Sequence, residues 1–450
     1  MAYKVCKFGG TSVATREQIE RVIEIIKSDE ERKFVVVSAP GKHSNYEKMT
    51  DALIGITKDS DVNTRTNKIK DRIKEIGSDI PETVSELIAE LDNRLSEKSA
   101  SDHREKILAF GEYSLARLVT EIMKKKSISA QFYDPRELNF TAVLKNGVAQ
   151  PNPACYQEIG KVLVGAGERN GNQIKVIPGF YAYIQNGDVI TLPRGGSDTT
   201  GAVISNAINA SVYENWTDTN GLYRVDPGIV ASAELIKEIT YAEARELAYM
   251  GFKLQMDAMV PLLSKRIPIH VRNTMHPGVI GTLVVSERVV PKEEYIAGVA
   301  SREGFISLDI AKMFMNQEIG FGSGLFSVFE EEVISYEHAP TGIDDISIIV
   351  EKKELEQPGK IGRLIRKINE RLGPLEANVG GSMALVVVAG LGMKNHYDTS
   401  SRVLHALGEA KIHDLMLNKG ASEISFFIGV DELRAKEAVR AIYNEFYGTK

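Results

Sequence analysis

Residues 4–12 read "KVCKFGGTS", an apolar strand that runs into a lysine, two adjacent glycines and two hydroxyls. A helix follows: Ile19, Val22, Ile23 and Ile26 recur at helical spacing, and Thr15 with Gln18 fits a capping box at its start. Strand, glycine turn and capped helix form the opening unit of an α/β sheet, and the turn is a candidate phosphate loop. It is not a Walker A loop, because Lys7 precedes the glycines, and it is not GxGxxG, because Gly9 and Gly10 are adjacent. The physical logic of phosphate binding still applies. Gly9 and Gly10 let backbone N–H groups approach an anion, the helix aims its positive end at the same region, and Lys7 adds a mobile point charge. Taken alone, a Gly-Gly pair after a strand reads equally as a tight turn.

Outward from this stretch, β-branched runs recur at 33–38 ("KFVVVS"), 175–183 ("KVIPGFYAY"), 188–192 and 268–271, alternating with amphipathic helical patterns. That alternation predicts a mainly parallel sheet covered on both faces. Residues 58–106 are polar and rich in Lys and Glu, with weak helical periodicity, and are expected to form helices in a flap or side layer. At 450 residues the chain exceeds one ordinary core. A net charge of −6 gives no general attraction to nucleic acid or to an anionic membrane. No apolar run nears the ~20 residues that span a bilayer, and no signal-peptide pattern opens the chain. Two cysteines far apart give no disulfide framework, and no Cys/His spacing suits zinc. A cytoplasmic setting and no protein-held metal are the expectations.

Three further stretches carry chemistry. In "LPRGGSD" (192–198), Arg194 suits bidentate binding of a carboxylate, Gly195 and Gly196 open the backbone, and Ser197 and Asp198 begin a helix. Either of the last two also reads as a plain N-cap. In "WTDTNGLYRVDPG" (216–228), Thr217, Asp218, Tyr223 and Asp226 suit a nucleotide, although the composition also predicts a surface turn. In "FGEYSLARL" (110–118), Glu112 is an acid inside an apolar-faced helix.

The last 150 residues contain a repeat. A shift of 78 positions lays 325–347 over 403–425 without a gap, matching Glu331 with Glu409, Ile334 with Ile412, Gly342 with Gly420, and Ile346-Ser347 with Ile424-Ser425. The strands 305–310 and 383–388 fall in the same register. Two α+β modules follow, serving either as a dimerisation surface or as ligand sensors.

In this order, Lys-Phe-Gly-Gly-Thr-Ser, Gly-Glu near 111, Arg-Gly-Gly-Ser-Asp and Thr-Asp…Tyr…Asp-Pro resemble the signature set of aspartate kinases, within the amino acid kinase superfamily. The duplicated tail resembles the ACT domain pair of that family. The resemblance implies a three-layer α/β sandwich with a mainly parallel sheet over residues 1–292, then two ferredoxin-like ACT modules at 300–375 and 380–450. It implies transfer of a phosphoryl group from ATP, with Mg²⁺, to the side-chain carboxylate of L-aspartate, the entry to lysine, threonine and methionine synthesis.

Roles carry over by matching position. Lys7 would stabilise the transferring group and Asp198 would organise the lysines. Ser38, Thr50, Glu112, Arg194, Gly195 and Ser197 would line the aspartate site, with Glu112 on the ammonium and Arg194 on the α-carboxylate. Gly9, Gly10, Ser12, Thr217, Asp218, Tyr223, Asp226 and Lys253 would contact the nucleotide. Met315, Gly320, Phe321, Gly322, Ser335, Glu337 and Asp345 would hold an amino acid effector, lysine first and threonine second. A homodimer or homotetramer through the ACT modules is expected, and a fused homoserine dehydrogenase is not. The sequence departs from the family pattern at Pro193, at Gly228 where an arginine is common, at Met256-Asp257, and in a longer loop between Ser38 and Thr50. The alternatives are a kinase for glutamate, acetylglutamate or UMP, and a non-catalytic amino acid sensor.

Overall fold

The computed structural model describes residues 2–165, 172–252 and 254–448, which divide into two compact units. The first comprises residues up to 222, 235–241 and 254–288. Its chain runs β1 (Lys4–Phe8), α1 (Arg16–Lys27), β2 (Arg32–Val37), α2 (Met49–Thr57), α3 (Val62–Ile76), α4 (Pro81–Ser96) and α5 (His103–Lys125). Next come β3 (Ala130–Phe132), a hairpin of β4 (Ala142–Lys145) and β5 (Val148–Pro151), α6 (Tyr156–Gly160) and β6 (Ile174–Pro178). A second hairpin of β7 (Tyr181–Tyr183) and β8 (Val189–Thr191) precedes α7 (Gly196–Ile208) and β9 (Val212–Thr217). β10 (Glu238–Thr240), α9 (Val260–Leu263), β11 (Ile269–Asn273) and β12 (Thr282–Val285) complete the unit, while α8 (Tyr241–Tyr249), between β10 and α9 in sequence, belongs almost wholly to the second.

Eight strands form one sheet in the order β10-β12-β11-β9-β1-β2-β6-β3. Every neighbouring pair is parallel except β11 with β12. Side chains alternate across a strand, so β1 sends Cys6 and Phe8 to one face. There they join a core with Val35, Val37, Val176 and Trp216 under helices α1 to α5. The opposite face receives α7, whose Gly201 lies so close to the Tyr213 ring that a Cβ would stand 2.5 Å from it. The capping box at Thr15 and Gln18 is present, with both reciprocal bonds. The polar stretch 58–106 contains α3 and α4, each burying one apolar stripe: Ile69, Ile73 and Ile76 on the first, Leu87 and Leu91 on the second. The run 175–183 does not stay one strand. It breaks after Pro178, where Gly179 passes Ser197 so closely that a Cβ would stand only 2.6 Å from it, and β7 turns away to pair with β8.

The sheet encloses an ion pair. Glu214 of β9 accepts both arms of the Arg32 guanidinium (2.8 and 3.0 Å), the indole N–H of Trp216 (2.9 Å) and the Cys6 thiol (3.2 Å). Burial pushes the Glu214 carboxyl up, but these donors outweigh it and hold it below the usual range. Removing Arg32 leaves the buried Glu214 with only the more distant Arg272 guanidinium, at 3.5 Å. Arg32→Ala should therefore cost about 3–5 kcal/mol in urea unfolding. Adding Glu214→Gln to that variant should recover part of the loss; no recovery would show that the pair is not the cause.

The second unit comprises residues 223–234, 242–253 and 289–450. Residues 223–234 and 242–253 thus cluster with the C-terminal residues. Its regular elements beyond 289 are β13 (Gly298–Ala311), α10 (Phe321–Glu331), β14 (Asp345–Glu351), α11 (Lys360–Leu372), β15 (Glu376–Val379), β16 (Met383–Ala389), α12 (Thr399–Glu409), β17 (Asp414–Lys419), β18 (Ser425–Asp431) and α13 (Ala435–Tyr447). The 78-residue shift carries α10 onto α12 end for end, and carries β13 onto β15 plus β16. The two repeats are not laid side by side as separate sheets. β13 changes register between Arg302 and Phe305: residues 298–302 pair with β16, while 305–311 pair with β14 and 308–311 with β15. One six-stranded antiparallel sheet results, with a core under α10 and α11 and another under α12 and α13.

Candidate active site

The site lies where β1, β2 and β9 end. Alternation along β1 sends Lys7 to the α7 side, and parallel register sets it opposite Asn215 of β9. Gly195, at φ 84° in the left-handed region, caps α7 and places Asp198 in its first turn. One oxygen of Asp198 then meets Lys7 Nζ at 2.7 Å, Asn215 Nδ2 at 3.2 Å and the Tyr213 hydroxyl at 3.5 Å. Burial, and then Asp198 itself, push the Tyr213 phenol well up, so it stays a donor. Neither Ser197 nor Asp198 is the N-cap; both sit inside the helix, buried. Lys7 is thus fixed by a buried carboxylate while its charge stays at the strand end. Asn215 and Tyr213 escaped the sequence reading, because "VYEN" looks like any strand until β1 is laid beside it.

The two glycines of the opening loop have different duties. A Cβ on Gly10 would stand 2.8 Å from the Ala39 carbonyl, so Gly10 is demanded by the neighbouring loop. A Cβ on Gly9 would meet nothing nearer than 3.5 Å, but the Gly9 N–H is already given to the Trp216 carbonyl at 3.0 Å. The amides of Gly10 and Thr11 open the short 3₁₀ turn Gly10–Val13 and have no partner within it. Ser12 is buried, with its hydroxyl 2.7 Å from that of Thr274, so it ties the loop to the chain after β11.

Glu112 stands inside α5, 4% exposed. Gly111 beside it brings the helix against Ala39 (2.7 Å from a Cβ position) and Met49 (3.6 Å), and the Ala39 amide reaches the acid. Burial pushes the Glu112 carboxyl up to about 8, opposed less strongly by the amides of Ala39 and Glu112 and by the charge of Lys7. Its Oε2 is buried with no hydrogen-bond partner. A buried polar atom left unpaired is costly, so this oxygen fits a site completed by a cationic ligand group. Arg194, in contrast, is exposed and forms no ion pair among the described residues.

Residues 2–273 match the Amino acid kinase family, and residues 386–446 match an ACT domain. Aspartokinase 3 of Bacillus subtilis is 35% identical over 457 residues, spanning 99% of this chain and 98% of that protein. The chain belongs to the aspartokinases. The crystal structure of Clostridium acetobutylicum aspartate kinase superposes with a TM-score of 0.85 at 32% identity, over 98% of this chain and 100% of that one. The lysine-sensitive aspartokinase 3 of Escherichia coli is 25% identical, covering 98% of this chain and 99% of that protein. The chain is accordingly an aspartate kinase with the amino acid kinase fold and ACT modules behind it.

The other residues expected to contact ligands in this aspartokinase have the following surroundings. Thr217 ends β9 half-buried, its hydroxyl 3.4 Å from the exposed Asp218 carboxylate. Tyr223 and Asp226 belong to the second unit. Asp226 accepts the Gly228 amide at 2.8 Å in a local turn. Nearby, the Arg224 guanidinium donates to the carbonyls of Ile296 and Ala297 and to the Tyr447 hydroxyl. Lys253 lies outside the described residues, as does the side chain of Asp257.

Among the effector positions, Met315 and Phe321 are buried in the core under α10 and α11, so they shape that core. Gly320, at φ 90°, caps α10, with Gly322 in its first turn. Ser335 and Asp345 are exposed and Glu337 is half-buried. Burial and then Glu351 raise the Glu337 carboxyl. The sequence reading missed His338, which joins the two repeats: Asn418 meets its Nδ1 at 2.8 Å and the Phe427 ring lies 4.6 Å away.

Proposed function

We propose that the cluster around Lys7 and Glu112 binds L-aspartate and the phosphates of ATP, and that its product is 4-phospho-L-aspartate. The observation that carries this reading is the orphaned, buried Oε2 of Glu112 in a site that also holds Lys7. Glu112 is a buried acid with an oxygen left unpaired, whereas Asp198 is already committed to Lys7. Ser38 and Thr50 offer hydroxyls, and the unpaired Arg194 takes the α-carboxylate. The side-chain carboxylate is ionised at neutral pH, so it attacks the terminal phosphorus without a general base. A P–O bond to the carboxylate forms as the bond to ADP breaks. Catalysis then consists of positioning and of neutralising charge on the transferring oxygens, the task of Lys7 and of the amides of Gly10 and Thr11.

Among the described residues no group of three or more His, Cys, Asp or Glu converges. Mg²⁺ carried in on the nucleotide phosphates would supply charge neutralisation there, with the exposed Asp218 as an acid that could hold it. The reaction feeds lysine, threonine and methionine synthesis, and the ACT modules return control through an amino acid. Glu337 and Asp345 favour a cationic effector, so lysine comes first and threonine second; the E. coli relative carries lysine sensitivity in its name. Assembly as a homodimer or homotetramer through the ACT modules, in the cytoplasm, completes the proposal. No described helix is long and apolar enough to cross a membrane.

Hydroxylamine trapping tests the reaction directly. With ATP and Mg²⁺, aspartate should yield hydroxamate, and glutamate and acetylglutamate should not. Added lysine should lower the rate, and threonine should do so less. Hydroxamate from another acid alone, or from none, would remove the substrate assignment.

A further inference from the structure

We propose that Arg72 of α3 is a positioning residue of this kinase, a cationic clamp that holds the loop from Ser38 to Lys48 against the end of the phosphate loop. Arg72 lies in the polar stretch that the sequence assigns to a side layer, yet it is 3% exposed. It has no carboxylate partner. Its guanidinium donates instead to four backbone carbonyls: Ala14 (2.9 Å) past the phosphate loop, and Gly41 (2.5 Å), Pro40 (3.4 Å) and Glu47 (3.1 Å) at the two ends of the other loop. The Tyr46 ring covers it, 5.3 Å from the guanidinium carbon. Burial lowers its pKa to about 10, opposed less strongly by Tyr46 and Glu75, which still leaves it charged at neutral pH.

The carbonyls it gathers lead directly to the ligand-facing groups. Gly41 donates to the Gly10 carbonyl at 2.8 Å, and a Cβ on Gly41 would stand 2.6 Å from Gly10, so the two loops touch backbone to backbone. The Pro40 carbonyl also accepts the amide of Met49 at 3.0 Å, which hangs the first turn of α2, and with it Thr50, on the clamped residue. Ala39 packs on Gly111 beside Glu112. One guanidinium therefore sets the distance between the amides of Gly10 and Thr11, Thr50 and Glu112. It also accounts for the long Ser38–Thr50 loop, which folds into a small hairpin at His43 and Tyr46 and is gripped at both bases. A lysine ammonium is a point donor without the planar fork and cannot span four carbonyls.

The inference rests on the aspartate and ATP site proposed above, and the test separates the two. Wild type, Arg72→Ala, Arg72→Lys and Lys7→Ala are compared in the full chain, with hydroxamate rates over both substrates and thermal midpoints. Arg72→Ala should lose roughly 100-fold in kcat/KM for aspartate, the scale of a 1 Å misplacement of reacting groups. KM should rise for both aspartate and ATP, since both loops are released. Methylguanidinium in the assay should restore part of the rate to Arg72→Ala and none to Lys7→Ala. Arg72→Lys should retain the fold and still show both raised KM values, so the proposal stays testable if the alanine variant does not fold. Unchanged kinetic constants per folded molecule in Arg72→Lys, or a lowered midpoint with no kinetic change, overturn the clamp while leaving the Lys7 reading intact. Failure of wild type to use aspartate overturns both.

Discussion

Lys7→Ala should lower kcat for aspartate phosphorylation by roughly 10²- to 10³-fold, the cost of removing one preorganised donor aimed at developing charge. KM for aspartate should stay within a few-fold, because Lys7 is assigned to the moving phosphoryl group and Glu112 to the amino acid. Structure gives the expectation its force: Nζ is held 2.7 Å from Asp198, which Asn215 and Tyr213 hold in turn, so the charge is in place before substrate arrives. The same pairing creates a confound, since the alanine variant strands Asp198, 8% exposed, without its cation. Lys7→Ala/Asp198→Asn removes that burden. The double variant should regain thermal stability and remain as slow as the single one. A near-wild-type rate in either variant would falsify the role of Lys7.

Glu112→Gln is the second large effect. It should raise KM for aspartate by roughly 100-fold, since a charge-assisted hydrogen bond to the substrate ammonium is lost at a desolvated site. The sign of its pH dependence follows from burial, which lifts the free-site carboxyl to about 8. Only the ionised form pairs with an ammonium. In wild type, kcat/KM for aspartate should climb as pH rises towards about 8 and then level off, and in Glu112→Gln that limb should be flat. Stability runs the other way. The folded pKa of this acid is raised from 4.5 to about 8, so the folded state binds the extra proton, and stability falls as pH rises through that window. The glutamine variant should accordingly melt higher than wild type at pH 8 without substrate, and aspartate should stabilise wild type more than the variant. A pH profile identical in both proteins would remove Glu112 from the ammonium site.

Much of the fold was legible in local pattern. The β-branched runs at 33–38 and 268–271, the helical period of Ile19 to Ile26 and the capping box at Thr15 each express a preference that neighbouring residues suffice to set. The repeat was legible because two copies of one module must bury the same faces: Ile334 and Ile412, Ile346 and Ile424 are buried in both. Where one residue does two jobs, the sequence blurred. Long stretches of "KVIPGFYAY" are apolar throughout, and only the close pass of Gly179 against Ser197 shows that the strand ends there. The polar surface of 58–106 hid one buried arginine among many exposed charges.

The sequence by itself determined the strand–glycine–helix opening, the residue types of a charge-neutralising site and the duplicated tail, since these depend on neighbours along the chain. Tertiary structure decided which of those residues meet. Parallel register put Lys7 opposite Asn215 and beside Asp198, helix packing at Gly111 buried Glu112, and an arginine distant in sequence gathered the carbonyls of two loops. Burial gives these contacts their strength, because a charge or a carbonyl removed from water interacts strongly with whatever partner the fold supplies. In "KVCKFGGTS" only Lys7 is a charge that the fold takes out of water and fixes.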